Sequence, residues 1–148
     1  MKSKKYKNPN SILLIIFTKN FKVLLLRKNS TKELWQSVTG SMELDENPYE
    51  TALRELKEET GISKQRSDLI SYNKSHKFMI YSEWINRYKE STYSNKEYIF
   101  SLKLNDIVSV KLSREHSNYK WVDLNEAIYM VFSWTNKAAL KTLPNFIY

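Results

Sequence analysis

The sequence predicts a mixed α/β (α+β) fold, with helices layered on a mixed β-sheet, and three observations carry that expectation. Residues 11–18 and 23–26 are apolar and read as buried strands. A single well-capped amphipathic helix, residues 48–60, follows them. A second group of strand-like segments then precedes two C-terminal helices. Strands, helix, strands, helices is the order of a sandwich that buries both faces of a sheet. With 148 residues, 41% of them hydrophobic, the chain can fill one sizeable core but not two, so residues 1–148 are expected to form a single domain.

Each element has its own signal. Lys19 and Asn20 offer turn chemistry between the first two apolar runs, which predicts a hairpin. The segment LWQSVTGS, residues 34–41, reads as one short strand entering a loop at Gly40. Helix 48–60 has strong start and stop signals: Asn47 as N-cap, Pro48 at the first helical position, Glu50 placed to close a capping box, and Gly61 as terminator. Between residues 68 and 106, aromatic and β-branched residues alternate loosely with polar ones, predicting two or three strands joined by a polar link, 86–95. NYKWVDL predicts a last strand ending at Trp121 and Val122. Asp123 with Glu126 forms a second capping pattern opening a helix to about Phe132, and residues 136–143 form another that stops before Pro144.

Composition narrows the setting. The formal net charge of +8 admits an anionic partner, but Lys and Asn are abundant throughout and no compact basic stripe interleaved with aromatics stands out, so no nucleic acid is expected. The absence of cysteine excludes disulfides and thiolate metal sites, and a cytoplasmic location is expected. The apolar run 12–17 is too short for a signal sequence, and no stretch reaches membrane-spanning length. A monomer with no membrane partner is the expected state.

The chemistry concentrates in GSMELDENPYETALRELKEETGI, residues 40–62. At 100° per residue, Tyr49, Leu53, Leu56 and Thr60 share one arc of the helix, and Glu55, Glu58 and Glu59 fall opposite. Like charges one turn apart repel, and the helix dipole disfavours anions near its C-terminus. A solvated acidic face is one explanation. Clustered hard oxygen donors without His or Cys also suit Mg²⁺, with Mn²⁺ as a substitute, bound together with substrate phosphates.

Spacing favours the second. Gly40, Glu46, Arg54, Glu55, Leu56, Glu58, Glu59, Gly61 and Ile62 fill every place of a pattern that resembles the signature of the Nudix hydrolase family. A chance match in a chain of this length has a probability on the order of 10⁻⁷. The resemblance implies a Nudix-type α/β/α sandwich and hydrolysis of a nucleoside-diphosphate-like substrate. It also implies that Glu55 and Glu59 ligate the metal, that Glu58 supports the site or binds a further ion, and that Arg54 pairs with Glu46 to fix the loop against the helix. Many family members have Gly where this chain has Asp45, a residue that tolerates left-handed backbone.

Segments outside the signature, among them FMIYSEWINRY, EHSNYKWVDL and FSWTNKAAL, resemble the folate-pathway branch of that family from about Tyr6 to Leu140. That implies conversion of a small-molecule triphosphate, 7,8-dihydroneopterin triphosphate, to the monophosphate and pyrophosphate. It further implies substrate contacts from Lys7, Lys28, Thr39, Ser133 and the run Phe78, Met79, Ile80 and Tyr81. Glu115 would join the metal site or act as base, so Glu58, Glu115 and Arg54 form the candidate catalytic set and Glu55, Glu59 and Glu115 the candidate metal set. Between Glu58 and Glu115 the base is open. A flat ring can also be held by aromatics, for which Trp35, Trp84, Tyr88 and Trp134 are further candidates. His76 and His116 are expected to be neutral core or surface residues. The rival readings are a broader deoxynucleoside triphosphate pyrophosphohydrolase, an RNA 5′-pyrophosphohydrolase, and an inactive ligand-sensing domain, which would have no need for three mutually repelling carboxylates.

Overall fold

The computed structural model describes residues 5–143. Its strands are β1 (Asn10–Thr18), β2 (Lys22–Lys28), β3 (Trp35–Gln36), β4 (Val38–Ser41), β5 (Leu69–Met79), β6 (Ser94–Leu104) and β7 (His116–Asp123), and its helices α1 (Pro48–Thr60), α2 (Leu124–Met130) and α3 (Trp134–Thr142). The main path of the sheet runs β3-β2-β1-β6-β5, with β4 also on β1 and β7 on β2. β1 and β6 are parallel from Asn10 opposite Lys96 to Thr18 opposite Leu104, and the other pairings are antiparallel, so the sheet is mixed as expected.

β1 explains the layering. Its apolar residues run on without alternation because both faces are covered. Ile12, Leu14 and Ile16 join a core with Ala52 and Leu56 of α1 and Phe100 and Leu102 of β6. Leu13, Ile15 and Phe17 join a second core with Ala127 of α2 and Ala139 and Leu140 of α3. Each fully buried Leu or Ile stabilises by roughly 1.5–3 kcal/mol, which makes β1 the strand whose truncation costs most.

Several expectations need correction. The hairpin of β1 and β2 pairs only at its base, Phe17 opposite Val23; β2 then leaves to pair with β7 while β4 takes its place beside β1. Segment 34–41 is two strands interrupted at Ser37, whose backbone N–H donates to the Asn136 side chain at 2.9 Å. The link between β5 and β6 begins at Ile80, earlier than 86, and contains a short 3-10 turn at Ile85–Arg87. Asp123 is the N-cap of α2 by position but makes no side-chain capping bond, because its carboxylate pairs with Lys22 at 2.8 Å. α2 ends at Met130 and α3 starts two residues early, at Trp134, capped by the Ser133 hydroxyl. Pro144 lies outside the described residues. Among those described, no helix is long and apolar enough to cross a membrane.

Candidate active site

α1 begins as its sequence dictates. The Asn47 side chain accepts from the Glu50 N–H while the Glu50 carboxylate accepts from the Asn47 N–H, a reciprocal capping box. Gly61 ends the helix at φ 78°, and Asp45 adopts φ 68°, the left-handed conformation its short polar side chain tolerates. The loop between β4 and α1 is tied down by Arg54. Its Nε and Nη2 donate to the two oxygens of Glu46 at 2.7 and 3.0 Å, and Nη2 also donates to the Ser41 carbonyl. This bidentate pair holds the Glu46 carboxyl down to about 2.

The glutamates are not arranged as the helical arcs suggest. The buried face of α1 is formed by Thr51, Ala52, Glu55, Leu56, Glu59 and Thr60, so Glu55 and Glu59 lie on its buried side and only Glu58 is exposed. Small side chains at Thr51 and Ala52 let this side of the helix approach β4, which the hydrophobic arc alone did not disclose. Gly40 makes the approach possible: a Cβ there would collide with the Glu55 carboxyl.

Burial decides the electrostatics. Glu55 accepts from Arg54 Nη1 at 2.8 Å, yet its carboxyl is pushed up to about 7, because desolvation outweighs a guanidinium that also serves Glu46 and Glu58. Glu59 is raised well above the carboxylate range by burial and then by repulsion from Glu55 and Glu115. The Thr39 backbone N–H donates to Glu59, but its Oε2 is buried without a partner. Glu59, Glu115 and His116 offer ligand atoms that all lie within 4.8 Å of one another. Glu55 is outside that group. His116 is buried, and burial followed by the nearby Lys28 lowers it to about 4, so it is neutral as expected; Gln36 Nε2 lies 3.2 Å from its Nε2. An acidic cluster of this kind can hold a divalent metal: the buried Glu59 oxygen without a partner, and the carboxyls of Glu59 and of Glu55 beside it that burial keeps from ionising, are what a cation would relieve.

A cleft of about 580 Å³ opens beside this cluster. Lys7, Lys28, Thr39, Ser133 and all four residues of Phe78, Met79, Ile80 and Tyr81 line it. Met79 sits at the surface, 70% exposed, while Ile80 is buried. The Ser133 hydroxyl accepts from the Asn136 N–H as the α3 cap. Lys28 joins the two regions: its ammonium lies 5.0 Å from the Trp84 ring centre, and its pKa is lowered by burial and by Arg87 and Lys7, and raised in part by Glu115 and Glu59. Tyr81, Trp84 and Phe132 form an aromatic group with ring centres 5.1–6.1 Å apart, and Tyr88 and Trp134 also line the cleft. Trp35 does not; it is core, 4% exposed. His76 packs on Trp134 at 5.3 Å, and burial lowers its pKa.

Sequence reading missed Gln36, Arg87, Asn95, Glu97 and Phe132, all in the cleft lining. A signal existed for two of them. Along β6, residues 95, 97 and 99 share one face, so Asn95 and Glu97 are polar residues on a side that Ile99 buries in the core.

This arrangement, a cleft lined by cations and aromatic rings against a helix carrying the glutamate signature, defines a class. The NUDIX domain family model matches residues 7–146, and the chain belongs to that family. It is 37% identical over 144 residues to dihydroneopterin triphosphate diphosphatase of Escherichia coli K12, which covers 95% of each chain. It is 37% identical over 139 residues to the Haemophilus influenzae protein of the same name, covering 92% of this chain and 87% of that one. The solved structure of the E. coli dihydroneopterin triphosphate pyrophosphohydrolase matches with a TM-score of 0.87 at 35% identity, covering 93% of this chain and 95% of the other.

Proposed function

We propose that this chain is a Mg²⁺-dependent pyrophosphohydrolase that converts 7,8-dihydroneopterin triphosphate and water to dihydroneopterin monophosphate and pyrophosphate. The observation that carries the reading is one cleft lined by cations and an aromatic group, whose Lys28 also feels the adjoining carboxylates Glu115 and Glu59. Relatives named for this reaction at 37% identity over nearly the whole chain support the choice of substrate.

The roles follow from the environment of each side chain. Glu55 and Glu59 would hold the cation, with Glu115 completing the cluster. The bound ion would neutralise phosphoanhydride charge and orient the attacked phosphorus. Burial and then the neighbouring Arg87 and Lys7 lower the pKa of Lys28, so a polyphosphate is a favourable partner for this group of cations. Thr39 adds a hydroxyl at the same wall, and Phe78, Tyr81, Trp84 and Trp134 supply ring faces and edges for the pterin. We assign the proton of the attacking water to Glu115, because Glu58 is engaged by Arg54 Nη1 at 3.2 Å. Arg54 positions the loop and helix without touching substrate.

The test is steady-state hydrolysis with Mg²⁺, comparing dihydroneopterin triphosphate with the four dNTPs and triphosphorylated RNA and following pyrophosphate against orthophosphate. The expected result is a clear kcat/KM preference for the pterin with pyrophosphate released. Equal or better turnover of dNTPs would overturn the substrate, and steeply salt-dependent RNA turnover would favour an RNA 5′ end.

A further inference from the structure

Glu97 is charged chemistry that hydrolysis does not use. It is 5% exposed and lines the cleft from β6, opposite Ser11 of β1 and His76 of β5. Thr135 donates a hydrogen bond to it, but among the described residues no Lys, Arg or His forms an ion pair with it, and its Oε1 is buried without a partner. Two residues earlier, on the same face of the strand, Asn95 spends its side-chain N–H on the Ser11 hydroxyl at 2.7 Å. That leaves Asn95 Oδ1 buried and also without a partner.

Two neighbouring acceptors without donors are costly in a protein interior. A ligand with adjacent N–H groups along one planar edge would satisfy them. A carboxylate receives two parallel N–H bonds in the same way that it receives the fork of an arginine. Among flat heterocycles, a 2-amino-4-oxopyrimidine ring presents that edge, with its N3–H beside its 2-amino group. Pterins carry it and guanine carries the equivalent. Adenine and cytosine set a ring acceptor beside the amino group, and uracil and thymine flank their N–H with carbonyls.

We propose that Glu97, with Asn95 beside it, is the specificity-determining residue of the cleft, receiving the N3–H and 2-amino group of the pterin ring. The proposal rests on the pterin reading of the site and adds the group that selects the ring. Because Glu97 is apart from the acidic cluster, its contribution belongs to recognition and not to bond cleavage.

The experiment measures kcat/KM for dihydroneopterin triphosphate, dGTP and dATP in the wild type and in Glu97→Gln, which keeps the shape and replaces one acceptor by a donor. The pterin-over-dATP preference is expected to fall about 30- to 100-fold, with the loss in KM and little of it in kcat; an unchanged preference would overturn the proposal. A wild type that turns over the pterin no better than dATP would sink the pterin reading alone. Glu97 would then be judged on dGTP over dATP, where an unchanged ratio in Glu97→Gln overturns it and a lowered ratio supports it. A measurement on the wild type guards against a variant that fails to fold: inhibition by free dihydroneopterin is compared with its analogue bearing oxygen in place of the 2-amino group. Loss of inhibition by at least tenfold supports the assignment, and equal inhibition overturns it.

Discussion

Carboxylates are buried in two regions, one beside the cleft and one in its wall, and they are left unsatisfied in different ways. On α1, burial raises the pKa of both Glu55 and Glu59, and charge repulsion adds to it, from Glu58 and Glu115 on Glu55 and from Glu55 and Glu115 on Glu59. On β6, Glu97 is buried by itself and pushed up to about 7 by desolvation alone, with Thr135 as its one opposing partner. Repulsion among carboxylates is relieved by positive charge, so the first region suits a cation. A solitary carboxylate is relieved by neutral donors, so the second is built for the N–H edge of a ligand. The same residue type thus carries two chemistries, and its neighbours decide which.

The strongest way to break this comparison is Glu59→Gln. Removing the charge and keeping the shape is expected to cut kcat by at least about 10³-fold with Mg²⁺, since the cation loses its most buried ligand. The fold should survive, and without metal the melting temperature should rise, because an uncompensated buried charge has gone. Full activity in steady-state assays would mean that the cation sits elsewhere.

Gly40→Ala comes next. The new methyl would displace the Glu55 carboxyl, and a shift of about 1 Å in a reacting group costs on the order of 10²-fold in rate. Inhibition by free dihydroneopterin, which reports on the Glu97 region, should change little. If both readouts fell together, the two regions would be one mechanical unit and the comparison would have to be redrawn.

The two regions also differ in how far the sequence disclosed them. The first is written locally: the capping box at Asn47 and Glu50, the Gly61 terminator and the spacing of Glu46, Arg54, Glu55, Glu58 and Glu59 lie within one loop and one helix. What local reading misjudged was the buried side of α1, because that depends on the fit of Thr51 and Ala52 against β4. The second region was legible only as polar residues on the face of β6 that carries Ile99, without a role. Glu97 and Asn95 acquire their role only when β6 pairs in parallel with β1 and Ser11 comes alongside, a long-range register no short motif records. Trp35 illustrates the converse: it reads as a ring for substrate, but the 131–140 segment covers it and makes it core.

Titration sharpens the contrast. Glu55 has a folded-state pKa near 7 against an ordinary value of 4.5, so the folded protein holds a proton that the unfolded chain releases between these values. Its contribution to stability is therefore fully present below about pH 4.5 and lost as pH rises through 7, on the order of 3 kcal/mol. Glu59, shifted in the same direction, steepens the fall. Metal-free protein is expected to melt several degrees lower at pH 8 than at pH 5.5, and Mg²⁺ should recover most of the loss at pH 8 and little at pH 5.5. Glu97→Gln should leave the Mg²⁺-dependent part of that profile in place. A profile that is flat without metal would show that burial of the α1 carboxylates has been overstated.

The smallest effect serves as the control for the others. Asn47→Ala removes the side chain that accepts from the Glu50 N–H at 2.9 Å, an exposed bond whose donor water can take over. The expected loss is about 1 kcal/mol, or roughly 3 °C in melting temperature. Glu59 is twelve residues further along α1, a rise of about 18 Å, so kcat/KM and Mg²⁺ affinity should be unchanged well below the melting range. Destabilisation without loss of chemistry is what separates a helix that merely holds the glutamates from one whose stability sets their reactivity. If Asn47→Ala lowered kcat in proportion to stability, the falls expected for Glu59→Gln and Gly40→Ala could no longer be ascribed to charge and position, and each would have to be repeated at matched stability.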